Sequence, residues 1–511
     1  MLLLGLALRL RGLHDPILDH PGWRQGDTAA IARNFATLDL NPLHPQTDYD
    51  GPPPNYVELE LQIVPFLAAL LYKVFGVHEV FGRLISIAFS LGTVAILGFF
   101  GRSLFGTVAG VAAAALFAVY PGSVYYGRTF MPDTAMVFFL TGALFFATRY
   151  LLGAEPRAWR GFWPGALFAG GAILAKPVAA LELVPILAVS VARFGAGGTL
   201  RRPQTWALLA LAILPYWAYD ASVARIAEWH WASGITRLHV LPSLAHALTS
   251  APAFAEKLRA LRAAGGMLAT TMLGPLGFGL FALGIVVPAA RPARPLLFGW
   301  LAAAVAYAFV VVTVERVDYY LYPFLPLAAL WTGAAAARAW ALVPNVPRAR
   351  VVAAAIGAVA IAALAFDGRH RVRAYYAYPK AVYRAAAALD ATLPRDALVV
   401  MGHYDPSVLY YIDRKGWEED PYLWTPFDEQ SAIRKGARSF IAIENNRFRR
   451  NVELYAWMQR FPVRYADALW PVYETDPARV LPGAELRWRE FRRLERAGAL
   501  TPPGAAATPS P

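Results

Sequence analysis

The sequence predicts a polytopic α-helical membrane protein of about eleven spans, followed by a small extracytoplasmic α/β domain. Three observations predict it. Hydrophobic residues make up 57% of the 511 residues, where a soluble chain carries roughly 45–50%. The excess falls in blocks between residue 1 and residue 366, and mean hydropathy is +0.39. The formal net charge of +13 sits mostly on arginine in short loops between those blocks, which is where membrane topology concentrates basic residues. A nucleic-acid surface would need a basic stripe on a soluble face, so that class is excluded. The expected division is residues 1–366 for the membrane part, 367–499 for the α/β domain and 500–511 for a disordered tail (LTPPGAAATPSP). The chain has no cysteine, which excludes disulfides and thiolate metal sites. No cleavable signal peptide is legible.

The first block, residues 1–13, is shorter than the ~20 residues a span needs, and Arg9 and Arg11 interrupt its end. A start upstream of Met1 is expected; a tilted, shallow helix is the alternative. The later blocks are 82–101, 107–126, 134–152, 161–178, 181–194, 205–221, 264–288, 296–314, 319–337 and 351–366. Alternation sorts the loops into two sets. One holds Arg102, Arg157, Arg160, Arg193, Arg201, Arg202, Arg291, Arg294, Arg338, Arg348 and Arg350, and the positive-inside rule makes it cytoplasmic. The other holds 14–62, 127–133, 222–263, 315–318 and everything after 367. The apolar stretch 63–77 is too short to span and carries Lys73, so it reads as a re-entrant or interfacial helix on the outer leaflet.

Every group suited to chemistry falls in the outer set. Asp27 in HPGWRQGDTAAIARNF precedes an amphipathic helix with Ile31 and Phe35 on one face. It is either an N-terminal cap or a base that takes a proton from an acceptor hydroxyl. Trp23 reads more readily as an interface anchor than as a sugar platform. Glu58 and Glu60 in YVELELQIVPF are solvated loop charges, or Glu60 contacts a metal or substrate. Arg128 and Asp133 bracket a turn in YYGRTFMPDTAMVFF; Asp133 caps the next helix, or the pair offers a cation for a lipid phosphate beside a second acidic group. Lys176, one of six lysines, ends a span; it snorkels, or it is functional as rim ionisable residues often are, with Glu182 near enough to neutralise it. Arg316, in VTVERVDYYLYPFLP, precedes Tyr319 and Tyr320; this is a charged turn with an aromatic belt, or Arg316 meets phosphate while the tyrosines orient a ligand. His230 is a candidate metal partner for Glu60, so a divalent ion is the one cofactor considered. No HExxH, Walker A, GxGxxG or GxSxG motif stands in a suitable context.

The order of these elements is distinctive: an outer-loop Asp, an Arg-led span (GRLISIAFSLGTVAILGFFGRSLFG), R-x-x-x-P-D, an outer-end A-K-P, and an R-x-D-Y-Y-L-Y-P turn. Over about residues 9–337 it resembles the GT-C superfamily of integral-membrane glycosyltransferases, and within it the bacterial family 39 group with protein O-mannosyltransferases and aminoarabinose transferases of lipid A. The resemblance implies a polyprenyl-phosphate sugar donor, an acceptor outside the bacterial inner (plasma) membrane (lipid A, another envelope glycan or a protein hydroxyl), and a multi-pass enzyme with its active site outside. It implies Asp27 as catalytic base, Asp133 as the acidic residue of the second outer turn, Lys176 and Arg316 as basic positions near the donor, and Glu60 as the acidic position before the interfacial helix. Asp27 is followed by Thr28 where many members have a second acid, and Leu61-Gln62 follow Glu60 where some have Lys-Pro. Independently of the resemblance, a polyprenyl chain holds its phosphate at the membrane surface, so cations are wanted at span ends, where Arg128, Lys176 and Arg316 lie. One carboxylate suffices for a single inverting displacement; retention would require a second, and Asp133 is the available one.

After residue 367 the pattern alternates: helix over 377–392, strand in DALVVMG, helix in PSVLYYIDRKGW, strand in RSFIAIEN, helix in NVELYAWMQRF and strand in PVRYADALWPVYET. That predicts a small, partly parallel α/β layer. His403, Asp405, Asp413 and Arg414 read as loop or capping residues. Two other functions compete: a transporter or flippase of lipid-linked glycans, which would show mid-span charges and repeats, and a non-catalytic envelope assembly subunit, in which the acidic residues would be dispensable.

Overall fold

The computed structural model describes residues 1–153, 159–287, 293–466 and 469–497. Arg157 and Arg291 of the expected cytoplasmic set, and the tail 500–511, lie outside these ranges. Each expected apolar block is mostly helical over its described residues. In chain order the helices are α1 (Leu2–Arg9), α2 (Gly22–Thr37), α3 (Ile63–Phe75), α4 (Glu79–Phe105), α5 (Thr107–Val119), α6 (Pro121–Tyr126), α7 (Asp133–Leu152), α8 (Trp159–Ala175), α9 (Ala179–Glu182), α10 (Val184–Arg201) and α11 (Pro203–Val223). Those that follow include Ala251–Met267, Gly274–Val286, Arg294–Tyr307, Phe324–Ala341 and Pro347–Arg371.

Six helical stretches among the described residues are long and apolar enough to cross a membrane. They are Glu79–Phe105, Asp133–Leu152, Ala179–Arg201, Pro203–Val223, Arg294–Glu315 and Pro347–Arg371. Ala251–Met272 with Gly274–Val286, bent by 115°, adds a seventh if counted as one span. A count of eleven therefore needs short or broken helices as well. The breaks have a local cause: Pro121 and Pro275 supply no backbone N–H and cannot continue a helix from its preceding turn, and they open α6 and Gly274–Val286.

The chain forms two compact units. The first comprises Met1–Asp15, Phe35–Pro45 and Val57–Tyr376; the second comprises Pro16–Asn34, Gln46–Tyr56 and Ala377–Pro511. The α/β layer is thus not made from C-terminal sequence alone.

In the first unit, strands β1 (Val57–Glu58) and β2 (Trp229–His230) pair in parallel, with Glu58 opposite His230. Arg9, Arg83 and Arg128 are fully buried. Arg9 bonds the hydroxyls of Ser90 (2.9 Å) and Ser123 (2.7 Å) and the carbonyls of Gly5 and Ala118. Arg83 donates to the carbonyls of Gly12, Leu13 and Asp15 and so ties the turn after α1 to α4.

In the second unit, β3 (Leu398–Met401), β4 (Lys415–Glu418) and β5 (Ala437–Ile441) are parallel; β6 (Val463–Ala466) and β7 (Trp470–Glu474) complete a sheet in the order β4-β3-β5-β7-β6. Val400, Phe440, Phe448, Leu454, Trp457 and Tyr473 lie in its core. The expected helix PSVLYYIDRKGW ends at Ile412, and its last residues form edge strand β4 instead. The expected strand PVRYADALWPVYET is the hairpin β6–β7. Helices Pro426–Arg434 and Ala484–Arg496 were not legible as elements. At β4, a Cβ on Gly416 would stand 1.8 Å from the Val399 carbonyl oxygen, so the strand approach requires glycine there.

The open edge of β4 is covered by first-loop chain. Gly416 N–H donates to the Asp48 carbonyl (3.0 Å), and Gly51 N–H donates to the Gly416 carbonyl (2.7 Å). Beside them the buried Asp48 carboxylate accepts from Arg33 (2.5 Å), Lys415 (2.5 Å) and Asn34 (3.0 Å). Burial alone would raise this carboxyl, but Arg33 and Lys415 outweigh it and hold the pKa at about 2. The group is depressed below its ordinary value, so its stabilisation is present above pH ~4 and is lost as pH falls toward ~2. Asp48→Ala leaves both cations without their central partner and is expected to destabilise the unit by about 3 kcal/mol. Protease cleavage rates of the full-length protein in detergent measure this; wild-type resistance in the variant would refute the latch.

Candidate functional site

The first unit gathers five of the expected residues. Asp133 is the first residue of α7, and its Oδ1 accepts from Lys176 Nζ at 2.7 Å. Pro177 follows Lys176 and ends α8 there. Both side chains are buried, 2% and 8% exposed, so this is not a snorkelling lysine. The Lys176 ammonium stands 4.3 Å from the Tyr320 ring centroid and 5.2 Å from that of Tyr319, and the two rings stack at 4.8 Å. Glu60 reaches the same place because Leu61 N–H bonds the Leu174 carbonyl (2.9 Å) at the end of α8, and its charge acts on Lys176. The partner that neutralises Lys176 is Asp133 rather than Glu182. Asp133 Oδ2 has no hydrogen-bond partner among the described residues. The result is a buried cation, ringed by acids and tyrosine faces, with one carboxylate oxygen still open.

The second unit holds Asp27. It lies inside α2, not before a helix, so it caps nothing. Gly26 lets α2 pass close to the chain at Ser407, whose Cα would be 2.5 Å from a Cβ at that position. Burial pushes the Asp27 carboxyl up; Arg24 and a hydrogen bond from Tyr49 pull it back, and Asp405 and Asp48 add to the rise, leaving a pKa of about 7. Its Oδ1 has no partner among the described residues. Glu418 and Tyr404 share these surroundings.

The sequence profile of the dolichyl-phosphate-mannose-protein mannosyltransferase family matches residues 62–219. The fold matches ArnT from Cupriavidus metallidurans bound to undecaprenyl phosphate, with TM-score 0.62 at 13% identity over 94% of this chain and 98% of that one. The apo state of the same protein gives TM-score 0.64 at the same identity and coverage. The Archaeoglobus fulgidus oligosaccharyltransferase, solved in complex with Zn and sulfate, gives TM-score 0.51 at 13% identity over 94% of this chain and 74% of that one. This is the fold of the GT-C membrane glycosyltransferases. A search of curated proteins gives no match.

On this GT-C fold the other expected residues are placed elsewhere. Arg128 is buried between the rings of Tyr125 (4.9 Å) and Tyr376 (4.4 Å) and donates to the Gly12 carbonyl at 3.3 Å. Arg316, in a left-handed backbone conformation with φ 50°, is exposed and pairs with Glu256 at 2.8 Å. Of the three expected phosphate cations, Lys176 is the one seated among the other candidates. His230 Nδ1 stands 4.0 Å from Glu58, not Glu60, and Glu58 also accepts from Ser233 N–H and hydroxyl. Burial raises the Glu58 carboxyl to about 7. Among the described residues no three His, Cys, Asp or Glu side chains form a group that could hold a metal ion. Tyr307, buried within reach of the Asp133 and Tyr320 charges, was missed; an isolated Tyr inside an apolar block carries no signal in sequence.

Lys176→Met removes the cation and leaves the Asp133 carboxylate buried alone, an expected loss of about 3–5 kcal/mol. The double variant Lys176→Met/Asp133→Asn should recover most of that stability. Melting temperature measures this; a double variant as unstable as the single one would refute the pair.

Proposed function

We propose that this chain is a membrane glycosyltransferase of the extracytoplasmic face that moves a sugar from a polyprenyl-phosphate donor to an acceptor hydroxyl, with inversion. The observation that carries this reading is the buried Lys176–Asp133–Tyr320 cluster, which lies partly within the stretch matched by the mannosyltransferase profile. A lipid phosphate needs a cation it can approach without crossing bulk water, and Lys176 is a buried cation at the end of α8 with the Tyr319 and Tyr320 rings beside it. The undecaprenyl phosphate bound to ArnT supports the donor class.

Each role follows from the residue's own surroundings. Lys176 offsets the charge that builds on the phosphate as the bond to the anomeric carbon breaks. Asp27 takes the hydroxyl proton as that oxygen attacks. A base works best with a pKa near the operating pH, and burial brings Asp27 there. Asp133 is committed to Lys176, which favours inversion over a route through a carboxylate nucleophile. Tyr319 and Tyr320 fix the ammonium by their ring faces. The arginine-rich short loops support placing Asp27 and Lys176 outside the membrane.

Purified protein assayed with a panel of polyprenyl-phosphate sugars tests this. Asp27→Asn should lower transfer at least 100-fold with unchanged melting temperature. Wild-type rates in that variant would remove Asp27 from the role, and transfer from nucleotide sugars alone would remove the donor class. The wild-type rate should rise with pH through a limb near 7, as Asp27 loses its proton. Arg24 favours the carboxylate, so Arg24→Gln should move that limb upward by on the order of one unit. A limb that stays in place or moves down would contradict the assignment.

A further inference from the structure

The strand order of the second unit's sheet switches sides between β3 and β5. The chain steps outward from β3 to β4, then returns past β3 to β5, and all three strands are parallel. In such sheets ligands bind outside the carboxyl ends of the strands, where the order reverses. Tyr404 follows β3 at that end, and Glu418 and Glu419 stand at the end of β4. Asp27 belongs to the same unit, and its charge acts on both Tyr404 and Glu418.

Two carboxyl oxygens here lack a protein donor. Glu418 Oε2 and Asp27 Oδ1 belong to side chains more than nine-tenths buried, and neither has a hydrogen-bond partner among the described residues. Buried polar atoms are nearly always satisfied, so a ligand that donates hydrogen bonds would complete the arrangement. Burial pushes the Glu418 carboxyl well above the usual range. Tyr404 is 62% exposed and offers an aromatic ring beside them.

The charges define what fits. Asp27, Asp50, Asp405 and Glu419 all act on Glu418 at this end of the sheet, with Arg24 the cation that acts most on Asp27. A phosphate would be repelled. A phosphate oxygen is also already an anion and needs no base, whereas an alcohol attacks only as its proton departs. We propose that this end of the sheet seats the acceptor of the transfer reaction, and that the acceptor nucleophile is an alcohol hydroxyl of a neutral glycan rather than a phosphate oxygen. The inference rests on the glycosyl-transfer reading above. In the step, the alcohol oxygen bonds to the anomeric carbon and its proton passes to the Asp27 carboxylate. The anomeric C–O bond breaks, and polyprenyl phosphate leaves with the electron pair. Glu418 positions the sugar by hydrogen bonds, and Tyr404 stacks on its C–H face.

Full-length protein is incubated with a radiolabelled polyprenyl-phosphate sugar and a detergent-extracted envelope glycan fraction. The product linkage is then read chemically. A glycoside to an alcohol survives both mild acid and mild alkali, which is the expected result. Release in mild acid marks a glycosyl phosphate, and release by alkaline elimination marks a Ser or Thr side chain; either overturns the inference while leaving the enzyme reading intact. Tyr404→Ala, at an exposed position, should raise the acceptor KM about 10-fold with the donor KM unmoved. Glu418→Leu should raise it further, and Glu418→Gln should recover part of the loss, with melting temperatures confirming the fold. Unchanged acceptor KM in both Tyr404→Ala and Glu418→Leu overturns the site. Absence of transfer by wild-type protein from every polyprenyl-phosphate sugar overturns the enzyme reading and this inference together.

Discussion

A carboxylate taken out of water keeps its charge only where cations follow it in, and Asp48 has two. Arg33 comes from the end of α2 and Lys415 from the start of β4, so one buried group binds first-loop chain to an edge strand more than 350 residues later. The backbone bonds between Asp48, Gly51 and Gly416 extend that join along the strand. An exposed edge strand is a hazard in any sheet; here its free groups are used to hold the loop. The loop in turn carries α2, and Gly26 sets how near α2 comes to Ser407. The position of Asp27 is therefore a consequence of the sheet, and the α/β layer is part of whatever Asp27 does.

The first unit solves the same problem in several ways. Arg9 is caged by carbonyls and hydroxyls, Arg83 by three carbonyls, and Arg128 by aromatic faces and a carbonyl. The Lys176–Asp133 pair differs in kind, because here a buried cation meets a buried acid, with the Tyr319 and Tyr320 rings beside it. Asp133 keeps one oxygen without a partner among the described residues, and an unmet acceptor costs about 1–3 kcal/mol, a cost that a ligand donating a hydrogen bond repays.

The parts of this molecule set by local chemistry were legible in the sequence. Apolar blocks gave the helices, whereas the breaks at Pro121 and Pro275 fall inside the blocks 107–126 and 264–288, which read as continuous. Lys176, Asp133, Glu60, Tyr319 and Tyr320 were singled out by charge and aromatic chemistry at the ends of spans, and the fold brings them together. What long-range register decides was not legible. Glu58 faces His230 because the two-residue pairing of β1 with β2 sets that register; Glu60, two residues on, would share the same face of an extended chain, so pattern alone does not choose between them. β4 reads as the tail of a helix because KGWE has no β-branched residue; its strand form depends on Gly416 fitting against β3. Arg128 and Arg316 look alike at loop ends in sequence, yet one is buried under tyrosines and the other is exposed on Glu256.

Two aspartates of the second unit show how far environment decides chemistry. Asp48 and Asp27 are both buried, and both pay the same kind of desolvation penalty. Asp48 faces Arg33 and Lys415 and is held at about 2; it stays an ion across the physiological range and cannot usefully carry a proton. Asp27 has Arg24 on one side and acids on the other, and rests at about 7; it can gain and lose a proton at little cost. Pairs of carboxyl groups pushed apart in this way mark the division between a fixed charge and a proton carrier. The cations that make Asp48 a good anchor would make it a poor base, and the acidic neighbours that would weaken Asp27 as an anchor are what bring its proton affinity into range.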